Sequence, residues 1–314
     1  MNNVTFSTPI LLIAWRRPKE TKEVIESLKI IKPKKLFISC DGARDHNKEE
    51  FEKVKKTQEI LRKNINWDCE VKWKISEKNL GCKIGVTNSI NWFFSNVKEG
   101  IILEDDIIAH DDFFQYCQIL LEKYRNDKRV WCISGSNNQD NIKRGEGSYY
   151  FGKVPLIWGW ATWRDRWDKY DINLSKWPEI KSASILDSIF SDNLQKKYWY
   201  SIFENFYKFG VPDTWDYAWV LTCLINNGLT AIPNKNLIRN IGFNLDATHT
   251  KWPINKVNKV SGIGGSLVDP KFIVCDLEAE KYQFDFFFGG FSKRMRRNPF
   301  LRIKNKFNRI FKKN

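Results

Sequence analysis

The chain has 314 residues, 42% hydrophobic and 15% aromatic, with 52 Lys and Arg against 37 Asp and Glu for a net charge of +15. It is too apolar for intrinsic disorder and long enough to bury a large core, and no repeat of solenoid period runs through it. No apolar run approaches the roughly 20 residues needed to cross a bilayer, and the seven cysteines contain no CxxC pair, which argues for reduced core thiols over a zinc site or disulfide framework.

Taken in chain order, Asn2 to Thr8 is polar, and the apolar run Ile10 to Ala14 is short and followed by Arg16-Arg17, so no secretory leader and a cytoplasmic location are expected. Pro9 to Trp15 predicts a strand and Pro18 opens a helix to about Ile30, Pro being tolerated in a first turn. Lys35 to Cys40 is a second strand ending at Asp41-Gly42, and Asn47 to Lys63 a charged helix. Glu70 to Ile75 is a third strand, Ile84 to Phe94 a helix, and Gly100 to Leu103 a buried fourth strand ending at Glu104-Asp105-Asp106. Asp111 starts a helix whose apolar face is Phe113, Phe114, Cys117, Leu120, Leu121 and Tyr124, and Val130 to Ser134 is a further strand.

This alternation predicts an α/β fold with a mainly parallel, Rossmann-like sheet and helices on both faces. Ligands in such sheets bind beyond the carboxyl ends of the strands. That rule selects Arg16-Arg17, Asp41 and Glu104-Asp105-Asp106, all on one edge. From about Asn137 the chain is less regular and rich in Trp, with Trp158-Gly159-Trp160-Ala161-Thr162-Trp163 and then Trp167, Trp177, Trp199, Trp215 and Trp219. Such rings either wall a sugar site or fill a core.

From Ser292 to Asn314 there are ten Lys and Arg and no Asp or Glu. Phe300, Ile303, Phe307, Ile310 and Phe311 fall on one face at helical spacing, so residues 292–314 read as a basic amphipathic helix suited to an anionic membrane surface. Nucleic acid is not the expected partner, because the body keeps little of the charge excess. One domain over residues 1–291 is expected, with a nucleotide-binding half at about 8–136 and an acceptor and sugar half at about 137–291.

Three carboxylates directly after a buried strand repel one another unless a cation or fixed donors compensate them. A hard divalent ion completed by diphosphate oxygens is the simplest compensation; the structural alternative is that Asp105 and Asp106 cap a turn. The run Leu103 to Ile107, followed by Asp112-Phe113-Phe114-Gln115-Tyr116 and Val130 to Ser134, resembles the metal-binding region of GT-A fold glycosyltransferases. Those of the Golgi N-acetylglucosaminyltransferase kind are the nearest in pattern. Ile13 to Pro18 and Ser39 to Gly42 resemble the uridine-binding strand ends of that family, and Gly159 to Trp163 is similar to a run in bacterial surface-polysaccharide transferases. The resemblance spans roughly residues 8 to 250.

The resemblance implies that Asp106 ligates Mn2+ or Mg2+ on the donor diphosphate. It puts Asp105 near the ribose, Glu104 near the transferred sugar, and Arg17 and Asp41 on the uracil, with Arg16 as the alternative to Arg17. Donor contacts around Trp160 and Trp215 follow from the same likeness. Pro212 to Trp219 looks like the family's Trp-Asp segment, making Asp216 the base and Asp213 the fallback; Asp213 is also a natural N-cap for the following helix. His249, in Thr248-His249-Thr250, is a possible further metal or phosphate contact, whereas His46 and His110 read as surface residues. Gly262-Ile263-Gly264-Gly265 reads as a flexible turn or mobile loop over the donor.

The expected activity is metal-dependent transfer from a nucleoside-diphosphate sugar, a UDP-sugar by resemblance, to a glycan or lipid-linked saccharide, with inversion and with the tail on the inner membrane face. Two alternatives stay open: a nucleotidyltransferase that makes an activated sugar, and a non-enzymatic membrane or nucleic-acid binder acting through the tail. The first lacks the usual Gly-rich phosphate loop after the first strand, where Arg16-Arg17-Pro18 stands.

Overall fold

The computed structural model describes residues 6–242 and 259–297. Its first stretch runs β1 (Ile10–Ala14), α1 (Pro18–Ile31), β2 (Lys35–Cys40), α2 (Lys48–Asn64), β3 (Glu70–Ile75), α3 (Gly81–Asn96) and β4 (Glu99–Glu104). Then come β5 (Ile107–Ala109), α4 (Asp111–Tyr124), β6 (Val130–Ser134), β7 (Tyr149–Gly152) and β8 (Trp160–Trp163). The rest is α5 (Arg164–Trp167), α6 (Trp177–Ser182), α7 (Ile185–Ile189), α8 (Asn193–Phe209), α9 (Asp216–Ile225), β9 (Leu229–Pro233), β10 (Ile238–Asn240), α10 (Leu277–Phe286) and α11 (Gly290–Arg297).

Local signals account for several boundaries. Pro18 occupies the first turn of α1, and Lys32 closes it in the left-handed conformation. Asn47 caps α2 by accepting from the Glu50 N–H. α3 starts three residues before the expected Ile84, because Gly81 supplies a φ of +76° at its entry.

An eight-stranded sheet runs in the order β3-β2-β1-β4-β8-β6-β9-β7. β3, β2, β1 and β4 are mutually parallel, β8 is antiparallel to both β4 and β6, and β6 is parallel to β9. The architecture is the Rossmann-like α/β sheet that the alternation predicts. Strands from either side of residue 136 interleave in it, since β8 lies between β4 and β6.

Strand parity shows why both sheet faces need helices. Ile10, Leu12 and Ala14 enter one buried cluster with Leu36, Ile38 and Cys40, while Leu11 joins the opposite cluster with Phe37 and Ile102. The first cluster takes in Val24 and Ile25 of α1 and Phe113 of α4, and the second Ile90 and Phe93 of α3 and Trp219 of α9. A third cluster gathers Trp177, Trp199, Phe203 and Leu221 from α6, α8 and α9.

All seven cysteines are free, as expected. Among the described residues no helix is long and apolar enough to cross a membrane. The expected basic tail begins inside α11, whose Arg294 pairs with Asp285 at 2.7 Å and with Asp192. The apolar stripe from Phe300 to Phe311 lies outside the described residues.

Candidate active site

Because β1, β2 and β4 are parallel, their carboxyl ends share one edge. Trp15, just past β1, ties the three ends together: its backbone N–H donates to Asp105 Oδ2 at 2.9 Å and its indole Nε1 to the Gly42 carbonyl at 2.9 Å. The three strand ends that carry the expected polar groups therefore lie side by side.

Glu104 ends β4, and Asp105 and Asp106 form the turn into β5, with Asp105 4% and Asp106 6% exposed. Arg17 Nη1 is 2.6 Å from Asp106 Oδ2 and 3.1 Å from Asp105 Oδ1. Arg16 turns away to the buried Glu50 at 2.8 Å, so the two arginines, adjacent in sequence, serve different carboxylates. Burial alone would lower the Arg17 pKa, but Asp105 and Asp106 outweigh it and keep the guanidinium charged.

Burial, reinforced by Asp106 and Asp105, pushes Glu104 up to about 8. Burial likewise raises Asp106 to about 6 against the opposing pull of Arg17, and it raises Asp105 although Arg17 and the Trp15 N–H favour its charge. Three carboxylates facing one guanidinium leave an excess of negative charge that is poorly solvated. Among the described residues no three His, Cys, Asp or Glu side chains already converge as a cage for a metal ion. The donor set instead fits a hard cation that takes one or two carboxylates and fills its shell with phosphate oxygens.

Asp106 is also braced from β10. Its carbonyl accepts the Ile241 N–H at 2.8 Å, and a Cβ added at Gly242 would stand 2.0 Å from Asp106 Oδ2, so only glycine lets that backbone pass. The two-stranded β5–β10 ribbon that makes this contact was not foreseen.

Asp216 opens α9, and its Oδ1 accepts from Thr214 Oγ1 at 2.7 Å and from the Tyr217 N–H at 2.9 Å. Its charge reaches both Glu104 and Cys82, the latter on the first turn of α3 and hydrogen-bonded to Thr214. Burial first, then Glu104 and Asp216, pushes the Cys82 thiol up to about 12. Cys82 and Thr214 are thus neighbours of the site that residue patterns missed. The only hint was Thr214 two positions before an acid.

Other expected residues find different employment. Asp41 accepts the N–H of Gly42 at 3.0 Å, that of Leu80 at 3.0 Å and Asn79 Nδ2 at 3.0 Å, so its carboxylate holds the loop into α3; burial raises its pKa despite those bonds. Asp213 does not cap α9, because Trp215 occupies the N-cap position with no side-chain cap; Asp213 lies instead beside Gly81. Trp160 and Trp215 are 1% and 2% exposed and stack on each other at 5.6 Å, which commits their ring faces to the core.

His110 is not a mere surface residue. Its Nδ1 accepts the Asp112 N–H at 3.1 Å and caps α4. Gly262 packs against His110 and Asp112, and the Ile263 N–H donates to Asp112 Oδ2 at 2.8 Å, so this expected mobile loop is pinned at its start. His249 lies outside the described residues.

No family model and no curated protein matches the chain. Among solved structures, HddC from Yersinia pseudotuberculosis is similar at 9% identity and TM-score 0.33 over 55% of this chain and 86% of that one. A 4-diphosphocytidyl-2C-methyl-D-erythritol synthase from Anaerococcus prevotii is similar at 11% identity and TM-score 0.33 over 62% and 84% of the respective chains. A UDP-glucose pyrophosphorylase complexed with UDP-glucose matches at 11% identity and TM-score 0.33 over 52% and 78%. Overlap at this level carries no weight for activity.

Proposed function

We propose that the protein is a metal-dependent GT-A type glycosyltransferase that uses a nucleoside-diphosphate sugar, with a UDP-sugar as first choice and a glycan or lipid-linked saccharide as acceptor. The observation that carries this reading is the acidic step Glu104-Asp105-Asp106 at the end of β4, its two aspartates buried, faced by Arg17 at the N-cap of α1 and within electrostatic reach of Asp216 from α9. Asp106, helped by Asp105, would hold Mn2+ or Mg2+, which when bound neutralises a diphosphate leaving group. Asp216 accepts the proton of the acceptor hydroxyl, its Oδ1 aimed by Thr214 and the Tyr217 N–H. Direct attack by that hydroxyl inverts the anomeric carbon. Trp160 and Trp215 support the site from behind as packing.

The test is to supply Mn2+ with a panel of nucleotide sugars and measure release of nucleoside diphosphate. Metal-dependent UDP release, reduced by about 10²–10⁴-fold in Asp216→Asn with nucleotide binding intact, is the expected result. Pyrophosphate release from a nucleoside triphosphate and a sugar phosphate would instead establish nucleotidyl transfer.

We also propose that the basic tail holds the enzyme on an anionic membrane. Since Arg294 is paired to the body, the informative truncation ends at Arg297. It should abolish co-sedimentation with phosphatidylserine vesicles without altering the fold. Pelleting of the truncated chain at full strength would refute the tail as anchor.

A further inference from the structure

We propose that Arg17 is a built-in counter-ion that keeps the acidic step closed to a lone divalent cation and releases it only to a cation arriving with a nucleoside diphosphate. The inference rests on the metal-dependent reading above. Asp106 Oδ2 is enclosed from two sides, by Arg17 Nη1 at 2.6 Å and by the backbone of Gly242, whose added Cβ would stand 2.0 Å away. The same guanidinium nitrogen reaches Asp105 Oδ1 at 3.1 Å, while Asp105 Oδ2 takes the Trp15 N–H at 2.9 Å. A cation seeking Asp106 Oδ2 therefore meets a guanidinium already paired with that oxygen, and of its two walls only a long side chain can swing aside.

Displacing the guanidinium alone strands a charge near the protein interior, which is costly. A diphosphate removes that cost, because guanidinium pairs bidentately with phosphate oxygens. Arg17 stands at the N-cap of α1 with its side chain 26% exposed, so it can follow an anion entering from solvent. Two ligands that share one displaceable ion are coupled, and each strengthens the other by the same factor. Arg17 is then a positioning residue that makes metal and donor bind together, a role distinct from holding the base.

The experiment titrates the full chain with Mn2+, following the free-ion electron paramagnetic resonance signal with and without UDP. In the wild-type chain UDP should tighten Mn2+ binding at least about fivefold. Arg17→Met should bind Mn2+ alone more tightly than wild type by a similar factor and gain little from UDP, whereas Arg17→Lys should retain the coupling. Mn2+ alone should also raise the melting temperature of Arg17→Met more than that of wild type. If Arg17→Met binds Mn2+ as wild type does, or more weakly, the counter-ion role is wrong while the metal-dependent reading stands. A wild-type chain that takes up neither Mn2+ nor UDP overturns both.

Discussion

The acidic edge of the sheet and the aromatic second half both offered residues with the look of a binding site, and the structure treats them in opposite ways. At the edge, the half-buried Glu104 and the buried Asp105 and Asp106 stand close together with raised pKa values, an arrangement that costs stability unless a ligand repays it. In the second half, Trp160, Trp167, Trp215 and Trp219 pack against one another at 5.3–6.2 Å, where aromatic burial stabilises the fold. Position, more than residue type, separates the two. One carboxylate past the end of a central parallel strand is enough to hold the Trp15 N–H, whereas three crowd like charges together; tryptophans beside a sheet carry no such cost.

This contrast can be broken by two substitutions. Asp106→Ala should lower turnover about a thousandfold and leave the melting temperature near that of wild type, because Arg17 keeps Asp105 and one source of repulsion disappears. A melting temperature that collapses together with activity would mean the acidic step is structural. Trp160→Ala should do the reverse. Emptying a site 1% exposed costs about 3 kcal/mol or more, read by chemical denaturation, while the folded fraction keeps its KM for the donor. A large rise in KM with stability unchanged would return Trp160 to the sugar site.

Most of the parallel sheet was legible because β1, β2 and β4 are short continuous apolar runs with a core on both sides, while the edge strand β3 alternates apolar Val71, Trp73 and Ile75 with charged residues. The convergence of Arg17 and Glu104-Asp105-Asp106 followed from the same rule. What residue patterns missed depends on long-range pairing. Strands β5 and β10 are only three residues each, and Ile107 finds Asn240 far along the chain. Nothing local in either segment reveals the partner that places Gly242 against Asp106. The fate of the tryptophans was equally hidden, since a ring that stacks on a sugar and one that stacks on Trp215 have the same sequence signature. His110 misled for a related reason: an imidazole can cap a helix through Nδ1, a role more often filled by Ser or Asp.

A smaller effect sharpens the comparison from the other side, because the second half holds a buried carboxylate of its own. Glu280 on α10 is 6% exposed, and its Oε1 accepts the Lys153 N–H at 2.7 Å and the Val154 N–H at 3.3 Å. Burial pushes it up to about 7 against those donors and the Lys153 charge, with Asp276 adding to the rise. Between the ordinary glutamate value of 4.5 and that folded value, the native chain holds a proton the unfolded chain has released, so stability falls as pH rises through the window. The loss from pH 5 to pH 7 should be about 2 kcal/mol. Glu280→Gln keeps an oxygen for both N–H groups and removes the charge, so its stability should decline over that window by about that much less than wild type, the remaining decline coming from Glu104 and Asp106, with donor turnover unchanged. If the variant retains the wild-type slope, the titrating group lies elsewhere. If instead it loses turnover, the perturbed carboxylate of α10 belongs to the chemistry, and the division between a charged working edge and an inert aromatic half fails.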